Sequence, residues 1–315
     1  MASVSRERYL SNVWRDGIFN GKVLFCTGGA GTICSMQVRA FVALGGNAFI
    51  TGRNKEKTEA GARDIASARP GSRVIGVVAD VRDAKGMVQA AEQCVKELGS
   101  LDFAIAGAAG NFLAPFSQLS SNAFKTVVEI DTLGSFNTAK AVLPHLVASA
   151  KKHGNDGSLN KAGTGGRIIF ISATFSQTGK VLQAHAAAAK AAVDQISHSI
   201  AIEYGPHGVT SNIITPGPIA GTEGMERLAK NDPESAKKNR GMVPVGRYGE
   251  TREIADATVY LFADTGSYVN GANLIVDGGE WRTSGAAMGG SFAYPEFFTS
   301  GAEVTGVKSG RKAKL

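Results

Sequence analysis

Short apolar segments rich in β-branched residues alternate along this chain with longer segments of helical periodicity. Parallel strands need a long crossover connection, usually a helix, so strict alternation predicts a parallel sheet with helices on both faces. Such crossovers are right-handed, which excludes most other topologies. Seven segments qualify as strands, and they span residues 23–26, 48–51, 74–78, 103–106, 168–172, 211–215 and 274–276. We therefore predict an α/β protein with a doubly wound, seven-stranded parallel sheet.

The length of the chain is compatible with one large domain. Although 315 residues could hold two domains, α/β proteins commonly exceed about 250 residues as one unit. We predict a single domain over residues 21–280, preceded by an N-terminal extension over residues 1–20. Periodicity is lost after residue 280, so residues 281–315 are predicted to form a loosely ordered C-terminal tail. The polar, Gly-rich segment 151–166 predicts a surface loop.

Composition excludes several classes of protein. No apolar run approaches the ~18 residues of a membrane span, and residues 1–20 contain no signal-peptide core, so we expect a soluble, non-secreted protein without membrane contact. Cys26, Cys34 and Cys94 are odd in number and lack paired spacing, which argues against a disulfide framework and a metal site. The formal charge of +7 is spread along the chain. It favours an anionic small substrate or cofactor over nucleic acid.

A run of small residues follows the first predicted strand. Residues 27–34 read Thr-Gly-Gly-Ala-Gly-Thr-Ile-Cys, and a helix is predicted over about 35–43. Small residues let the backbone approach a pyrophosphate, and the helix N-terminus supplies free N–H donors and a partial positive charge. Alone this turn is a weak signal, but Gly52-Arg53, Asp80-Val81 and a Gly-Ala-Ala-Gly run at 107–110 follow the next three strands.

Together these features resemble the short-chain dehydrogenase/reductase family over residues 21–279, and the resemblance implies a Rossmann fold. The chain departs from the family turn because Thr32 and Cys34 stand where the family has two glycines. Asp80 would accept a hydrogen bond from the adenine amino group, and Val81 would cover the ring. The other implied cofactor contacts are Gly28, Gly29, Gly31, Thr32, Ile33, Ala108, Gly110, Lys190, Pro216, Gly217, Ile219 and Thr222.

Cofactor selectivity is predicted from the end of the second strand. NAD-selective members place an acidic side chain there to hold the ribose 2′-hydroxyl. This chain has Gly52, followed by Arg53, which can pair with a 2′-phosphate through charge-assisted hydrogen bonds. We therefore predict NADPH as the cofactor. The alternative is that Arg53 is an ordinary solvated residue, and Lys57 is a possible second phosphate contact.

The family's catalytic residues are largely missing. Lys190 is intact, but Ala186, four residues earlier and on the same helix face, stands where the family has its acidic tyrosine. By the same alignment Ala173 replaces the serine and Asp131 the asparagine. A carbonyl reductase needs the phenol, because the alkoxide that forms as hydride arrives must receive a proton. The chain is therefore predicted to transfer hydride to another kind of acceptor.

This pattern of losses resembles one branch of the family, the peroxisomal 2,4-dienoyl-CoA reductases. The resemblance includes segments 108–112, 122–125, 130–132 and 217–224, while segments 29–34 and 172–175 resemble fungal members. In a dienoyl thioester, hydride goes to the δ carbon and charge moves to the thioester oxygen. Protonation at the α carbon then leaves a 3-enoyl-CoA, a step in the β-oxidation of unsaturated fatty acids. No alkoxide forms at the hydride acceptor.

The resemblance also implies roles for residues around the acyl-CoA substrate. Asp131, directly or through a bound water, would supply the proton, with Lys190 tuning its charge. Asn111 would help place the thioester and Phe112 the acyl chain, with a loop cap and a core aromatic as the respective alternatives. Asp131 could instead be a structural carboxylate. The residues expected near CoA are Arg82, Ser120, Ser121 and Asn122.

Two further expectations concern His185 and the end of the sequence. His185 lies beside the face that carries Lys190, which favours a place in the pocket wall over a catalytic role. The final Ala313-Lys314-Leu315 resembles a peroxisomal address and implies an import receptor as partner. The family resemblance implies a homotetramer. Alternatives that stay open are another enoyl-CoA or carbonyl reductase and a nucleotide-binding scaffold without catalysis.

Overall fold

Seven parallel strands form one sheet in the order β3-β2-β1-β4-β5-β6-β7, in a computed structural model that describes residues 4–155, 165–222 and 243–284. The doubly wound α/β fold and its single sheet are confirmed. Each strand begins and ends within one residue of the predicted segment. The strands are β1 Val23–Thr27, β2 Asn47–Gly52, β3 Val74–Val78, β4 Phe103–Ala106, β5 Arg167–Ile171, β6 Thr210–Pro216 and β7 Asn273–Val276.

Helices connect the strands. Those that the structure describes are α1 Thr32–Ala43, α2 Lys55–Ala66, α3 Ala84–Leu98, α4 Ser121–Val128, α5 Gly134–Lys152, α6 Phe175–Thr178, α7 Ala184–Tyr204, α8 Thr251–Phe262 and α9 Glu280–Ser284. Helix α1 begins three residues before the predicted start, so its first turn includes Thr32 and Cys34. The predicted loop at 151–166 begins within the end of α5, and residues 156–164 lie outside the described residues.

Both faces of the sheet carry a hydrophobic core. On the face covered by α1 and α8, the Phe103 ring lies 5.4 Å from Phe41 and 4.8 Å from Phe262. On the opposite face Phe25 stacks on Phe49 at 5.8 Å and packs with residues of α3 and α5. Burial on both faces explains why the strands are nearly continuous apolar runs. Because all seven strands are parallel, their carboxyl ends meet at one edge of the sheet, where such folds bind ligands.

The N-terminal segment, predicted as an extension, is packed into the core. Tyr9, Leu10 and Phe19 are buried in the cluster that α1 and α8 share. Asp256 of α8 accepts hydrogen bonds from the Ser11 backbone N–H and hydroxyl, both at 3.1 Å, and from the Trp14 indole at 2.8 Å. At the other end, helix α9 occupies the start of the predicted tail. Residues 285–315 lie outside the described part of the chain.

Helices α4 and α5 are joined by one π-helical turn, Glu129–Leu133. The extra residue of a π turn changes the direction in which neighbouring side chains project, and such turns are frequent at functional sites. Asp131 lies in the middle of this turn and is buried. Thr132 donates a hydrogen bond to the Ala189 carbonyl at 3.2 Å, which fixes the turn against α7. Among the described residues, no helix is long and apolar enough to span a membrane.

Candidate active site

A cleft of about 560 Å³ lies at the carboxyl ends of β1 to β4. Most of the predicted cofactor contacts meet there. The predicted residues that line it are Gly28, Gly31, Thr32, Ile33, Arg53, Asp80, Val81, Ala108 and Thr222. Asn54 and Lys57 line the same end as Arg53. The shape and chemistry of this cleft fit a dinucleotide, because glycines, a helix N-terminus and a cation occur in the order that a dinucleotide needs.

The glycine turn is held close to the neighbouring strand end. Gly28 has a φ of +67°, and a Cβ there would lie 3.0 Å from the Ala108 Cα, so only glycine fits without strain. Thr27, at the end of β1, holds the residues after β4 in place, since its hydroxyl accepts hydrogen bonds from the N–H groups of Gly107 and Ala108 at 3.1 and 3.3 Å. The first N–H groups of α1 have no partner within the helix, and the first three residues of that helix line the cleft, as a site for an anionic phosphate requires.

Gly29 packs against the neighbouring strand. A Cβ at this position would lie 2.6 Å from the Ile50 side chain, so the missing side chain lets the turn pack on β2. Gly29 is not among the residues that line the cleft, and its contact with the cofactor stays a prediction.

The acidic and basic residues after β3 form a pair. The Arg82 guanidinium donates to both Asp80 oxygens, from Nε at 3.0 Å to Oδ1 and from Nη2 at 2.6 Å to Oδ2. This hydrogen-bonded cation lowers the pKa of Asp80. Asp80 therefore stays an acceptor, as the predicted adenine contact requires. The Arg82 side chain is directed to Asp80 in this structure, and its place near CoA stays a prediction.

Asp131 and Lys190 form a buried ion pair behind the cleft. Lys190 Nζ lies 3.1 Å from Asp131 Oδ2, and Asp131 is only 1% exposed. Asp131 Oδ1 accepts a hydrogen bond from the Gly110 N–H at 2.7 Å, and Lys190 also donates to the Ile171 carbonyl at 2.9 Å. Ile171 lines the cleft. Gly110 thus positions the carboxylate, although it does not itself line the cleft.

At the position of the missing phenol, Ala186 is packed among apolar side chains. Ala186 is 2% exposed and lies in a small apolar cluster with Val127 and Ala189, against which Phe175 packs. Ala173, where the family has serine, follows the end of β5. Neither alanine can give or take a proton. The ionisable group that remains next to this position on α7 is Lys190, whose partner Asp131 comes from the π turn before α5.

The loop after β4 is attached to the segment before α7. Asn111 Nδ2 donates to Gln183 Oε1 at 3.4 Å, and the Ala114 N–H donates to the carbonyl of Leu182 at 3.0 Å. Leu182 has a left-handed φ of 67°, an uncommon conformation that is often found at functional sites. Because Gln183 is buried, it orients Asn111. Sequence reasoning did not single out Gln183.

Phe112 and His185 form a stacked pair in this loop contact. Their ring centroids are 4.2 Å apart, and His185 Nε2 donates to the Phe112 carbonyl at 3.0 Å. His185 is fully buried, whereas Phe112 is 38% exposed. His185 packs behind Phe112 and does not line the nucleotide cleft, so its place in a pocket wall stays a prediction. Phe112 is therefore not a core aromatic.

Other predicted residues have structural roles that sequence reasoning missed. Ser120 caps α4 by accepting a hydrogen bond from the Ala123 N–H at 3.2 Å, and Ser121 and Asn122 form the exposed first turn. Pro216 ends β6, and the Gly217 N–H donates to Val276 of β7 at 3.0 Å. The Ile219 side chain is buried in the core, and its contact with the cofactor stays a prediction. Thr222 donates to the Ile219 carbonyl at 2.8 Å and lines the cleft.

Known proteins resemble this chain over most of its length. A protein-family model described as enoyl-(acyl carrier protein) reductase matches residues 28–280. The peroxisomal 2,4-dienoyl-CoA reductase [(3E)-enoyl-CoA-producing] of Saccharomyces cerevisiae is 45% identical over 285 residues, 90% of this chain and 91% of that protein. The protein of the same name from Mus musculus is 40% identical over 84% of this chain and 86% of that protein. The structure of NAD+-bound xylitol dehydrogenase is 25% identical, with a TM-score of 0.74 over 83% of this chain and 99% of that chain.

Proposed function

The chain belongs to the short-chain dehydrogenase/reductase family, and we propose that it is an NADPH-dependent 2,4-dienoyl-CoA reductase that forms 3-enoyl-CoA. The proposal rests on one observation. The Asp131–Lys190 ion pair is kept behind the nucleotide cleft, while alanine occupies the positions of both the phenol and the serine. Relatives at 45% and 40% identity carry the name of this activity.

The reaction has to place a proton as well as a hydride. When bound, the reduced nicotinamide supplies the hydride, which goes to the δ carbon of the conjugated thioester. Negative charge then spreads to the thioester oxygen and the α carbon, so the site needs a donor for the oxygen and a proton source near the α carbon. No phenol is needed beside the δ carbon, which explains why Ala186 is compatible with catalysis.

Asp131 is the residue best placed to handle the proton. Its carboxylate is held by Lys190 and by the Gly110 N–H, so its position does not depend on the substrate. We propose that the α carbon receives its proton either from Asp131 in its protonated form or from a bound water that the Asp131 carboxylate orients, and that a proton from solvent water then restores the donor. Lys190 stabilises the carboxylate after the proton has left, because the two charges are 3.1 Å apart in a water-poor environment.

Asn111 and Phe112 are proposed to hold the thioester end of the substrate. The Asn111 side-chain amide is exposed and is oriented by Gln183, so it can donate to the oxygen on which charge accumulates. The exposed Phe112 ring offers an apolar surface to the acyl chain. Ser120, Ser121 and Asn122 are proposed to lie along the path of CoA, since they expose polar groups at the start of α4.

NADPH is the proposed cofactor rather than NADH. Arg53, Asn54 and Lys57 line the end of the cleft where the second strand stops. The cations of Arg53 and Lys57, together with a glycine instead of an acidic residue at position 52, favour a 2′-phosphate over a 2′-hydroxyl. We also propose a peroxisomal location, as in the names of the yeast and mouse relatives. A homotetramer and recognition by the peroxisomal import receptor remain predictions.

The decisive experiment follows absorbance with purified protein, NADPH and a 2,4-dienoyl-CoA. Loss of both the NADPH and the dienoyl absorbance, with a 3-enoyl-CoA as product, is the expected result. Simple ketones should not be reduced. Rapid reduction of ketones without turnover of the dienoyl-CoA would contradict the proposal. Binding of NADPH without turnover of either substrate would favour a nucleotide-binding scaffold.

A further inference from the structure

His185 is a fully buried polar side chain that takes no part in the proposed proton transfer. It is the second residue of α7, and its ring does not line the nucleotide cleft. A buried polar group normally makes a specific hydrogen bond, because leaving it unpaired costs free energy. The partner of His185 belongs to the loop between β4 and α4, residues 107–120, which we call the β4 loop. Its Nε2 atom lies 3.0 Å from the carbonyl oxygen of Phe112.

This bond determines which ring nitrogen carries hydrogen. A carbonyl oxygen can only accept, so the hydrogen bond requires an N–H at Nε2. In the neutral imidazole Nδ1 is then a bare acceptor, and this atom is buried with no hydrogen-bond partner among the described residues. Only the nitrogen that reaches the β4 loop is used. The bond to Phe112 is therefore what a histidine adds at position 185 over an apolar ring of similar size.

The same histidine also holds the Phe112 side chain. The two rings are stacked, with centroids 4.2 Å apart and an angle of 15° between their planes. Phe112 is not a member of the hydrophobic clusters that the described residues form. Its main chain and its ring are both held by His185, one through a hydrogen bond and the other through a ring face. We infer that the place of Phe112 depends mainly on this one residue.

Asn111, the residue before Phe112, is held only weakly by its own side chain. Its Nδ2 atom lies 3.4 Å from Gln183 Oε1, which is longer than an ordinary N–H···O hydrogen bond. The main chain of the β4 loop is tied more firmly, by His185 at Phe112 and by the Ala114 N–H, which donates to the Leu182 carbonyl at 3.0 Å. The direction of the Asn111 amide is therefore set largely by the backbone that His185 holds.

We propose that His185 is a positioning residue for the reduction, because by holding Phe112 it places the Asn111 amide against the thioester oxygen. This role rests on the proposed function, in which Asn111 donates to the oxygen on which charge accumulates. That charge appears only as hydride arrives, so a misplaced amide weakens the transition state more than it weakens substrate binding. Loss of the His185 bond should lower kcat and leave the KM for the acyl-CoA nearly unchanged.

Three substitutions separate the hydrogen bond from the packing. His185→Phe keeps a flat ring to stack on Phe112 and removes the donor. His185→Gln removes the ring and keeps an amide N–H at about the reach of Nε2, whereas the shorter side chain of His185→Asn cannot reach the carbonyl. His198→Phe is the matched control, because His198 lies further along α7 and makes no contact with the β4 loop in the described structure.

Steady-state kinetics with NADPH and a 2,4-dienoyl-CoA measure the effect on the full-length protein. We expect His185→Phe and His185→Asn to lower kcat about five- to tenfold, the size expected for one hydrogen bond, and His185→Gln to stay within about twofold of the parent. His198→Phe should not change kcat. The Kd for NADPH, measured by fluorescence titration, should change less than about twofold in every variant, because the affected residues do not line the cleft.

A double-mutant cycle tests whether His185 acts through Asn111. In the Asn111→Ala background there is no amide left to place, so addition of His185→Phe should cause no further loss of kcat. A histidine that only stabilises the fold would instead lower thermal stability and multiply the two losses. Thermal unfolding is recorded for each variant. If His185→Phe does not fold, the cycle is run with His185→Asn, and the comparison of Asn with Gln carries the test.

Several results would overturn the inference. These are an unchanged kcat in folded His185→Phe or His185→Asn, a kcat for His185→Gln as low as that for His185→Asn, fully multiplicative losses in the cycle, or a rise in the Kd for NADPH that parallels the fall in kcat. The proposed function fails in a different way. If the parent protein turns over no dienoyl-CoA, that function is wrong, and the role of His185 is wrong with it.

Discussion

The Asp131 carboxylate is held by two partners of different kinds. Lys190 supplies a charge, and the Gly110 N–H supplies a directional hydrogen bond at 2.7 Å. A buried carboxylate with such partners can serve structure or proton transfer. The two roles differ in what a substitution changes. Substitution of a purely structural carboxylate would change only the free energy of unfolding. Substitution of a proton source would slow the chemical step while the cofactor still binds.

The substitution Asp131→Asn separates these roles. The amide keeps the volume and an acceptor for Gly110 but cannot carry the proton, so kcat with a dienoyl-CoA should fall at least about a hundredfold. The Kd for NADPH should change less than about threefold, because residue 131 does not line the cleft. Steady-state kinetics and fluorescence titration measure the two quantities. Unchanged kcat in a folded variant would assign Asp131 a structural role only.

Arg53 decides cofactor choice if it binds the 2′-phosphate. Loss of a charge-assisted contact costs about 1.5–3 kcal/mol, so Arg53→Ala should raise the KM for NADPH by about tenfold or more. The KM for NADH should not change, since that cofactor has no 2′-phosphate. Arg63→Ala is the matched control, because Arg63 lies on the helix that follows Arg53, α2, but does not line the cleft. An equal rise of the KM values for NADPH and NADH would contradict the assignment of Arg53 to the 2′-phosphate.

Helix α4 begins with a capped turn that also faces the proposed CoA path. The Ser120 hydroxyl accepts from the Ala123 N–H at 3.2 Å. This bond satisfies one of the N–H groups that a helix leaves unpaired at its start. The helix then leads through the π turn to Asp131. The stability of the cap and the placement of the proposed proton source, Asp131, are therefore linked through one element.

Replacement of the cap should lower stability in a predictable way. Ser120→Ala should reduce the free energy of unfolding by about 1 kcal/mol, and Ser120→Asn should retain most of it, because asparagine caps equally well. Denaturant titration measures both. If Ser120 also contacts CoA, both variants raise the KM for the acyl-CoA. If it is only a cap, Ser120→Asn leaves that KM unchanged.

A polar cluster joins β1, β4 and α5 at the amino edge of the sheet, opposite the cleft. Asp102 is buried and accepts from Ser149 at 2.6 Å and from His153 at 3.2 Å, and Lys22 Nζ lies 2.9 Å from both ring nitrogens of His153. Burial, followed by the positive charge of Lys22, lowers the pKa of His153, with a smaller contribution from Lys152. Asp102 opposes this shift.

The sign of the resulting pH dependence follows from proton uptake. Below the ordinary value of 6.5 the unfolded chain binds a proton at His153, while the folded protein does not until the pH reaches its lower pKa. The free energy of unfolding should therefore decrease as the pH falls below about 6.5. His153→Gln should reduce this slope in denaturant titrations at several pH values. His207→Gln, at an exposed histidine, is the control, and an equal loss of slope there would contradict the assignment.

The N-terminal segment belongs to the packed unit even though it precedes the first strand. Leu10 and Phe19 are fully buried, and Asp256 ties Ser11 and Trp14 to α8. The segment covers the α1 and α8 face of the sheet. The core on that face is therefore completed by residues that are distant in sequence from both helices.

Removal of residues 1–20 should consequently unfold or strongly destabilise the protein. Burial of each large apolar side chain contributes about 1.5–3 kcal/mol, and whole domains have only about 5–15 kcal/mol to lose. Thermal unfolding of the truncated chain measures the effect. Asp256→Ala is a milder variant that leaves three donors unpaired, and Asp256→Asn is its control. A truncated chain with unchanged thermal stability would show that the segment is only an appendage.

Prediction succeeded where local pattern carries the information. The seven strands were predicted within one residue because strands buried on both faces must be short apolar runs. Residue type and spacing also reveal the glycine turn at 27–34, the cation of Arg53 and the alanine at position 186 that replaces the tyrosine. These features led to the same family as the comparisons.

Long-range contacts were not predictable from those patterns. Neither the π turn around Asp131 nor the role of Gln183 has a local signal, since both depend on how α4, α5 and the loop after β4 meet α7. The burial of Leu10 and Ile219 also results from packing between distant segments. Periodicity reports which face of a segment is buried, whereas the partner that covers this face is selected by the packing of the folded chain.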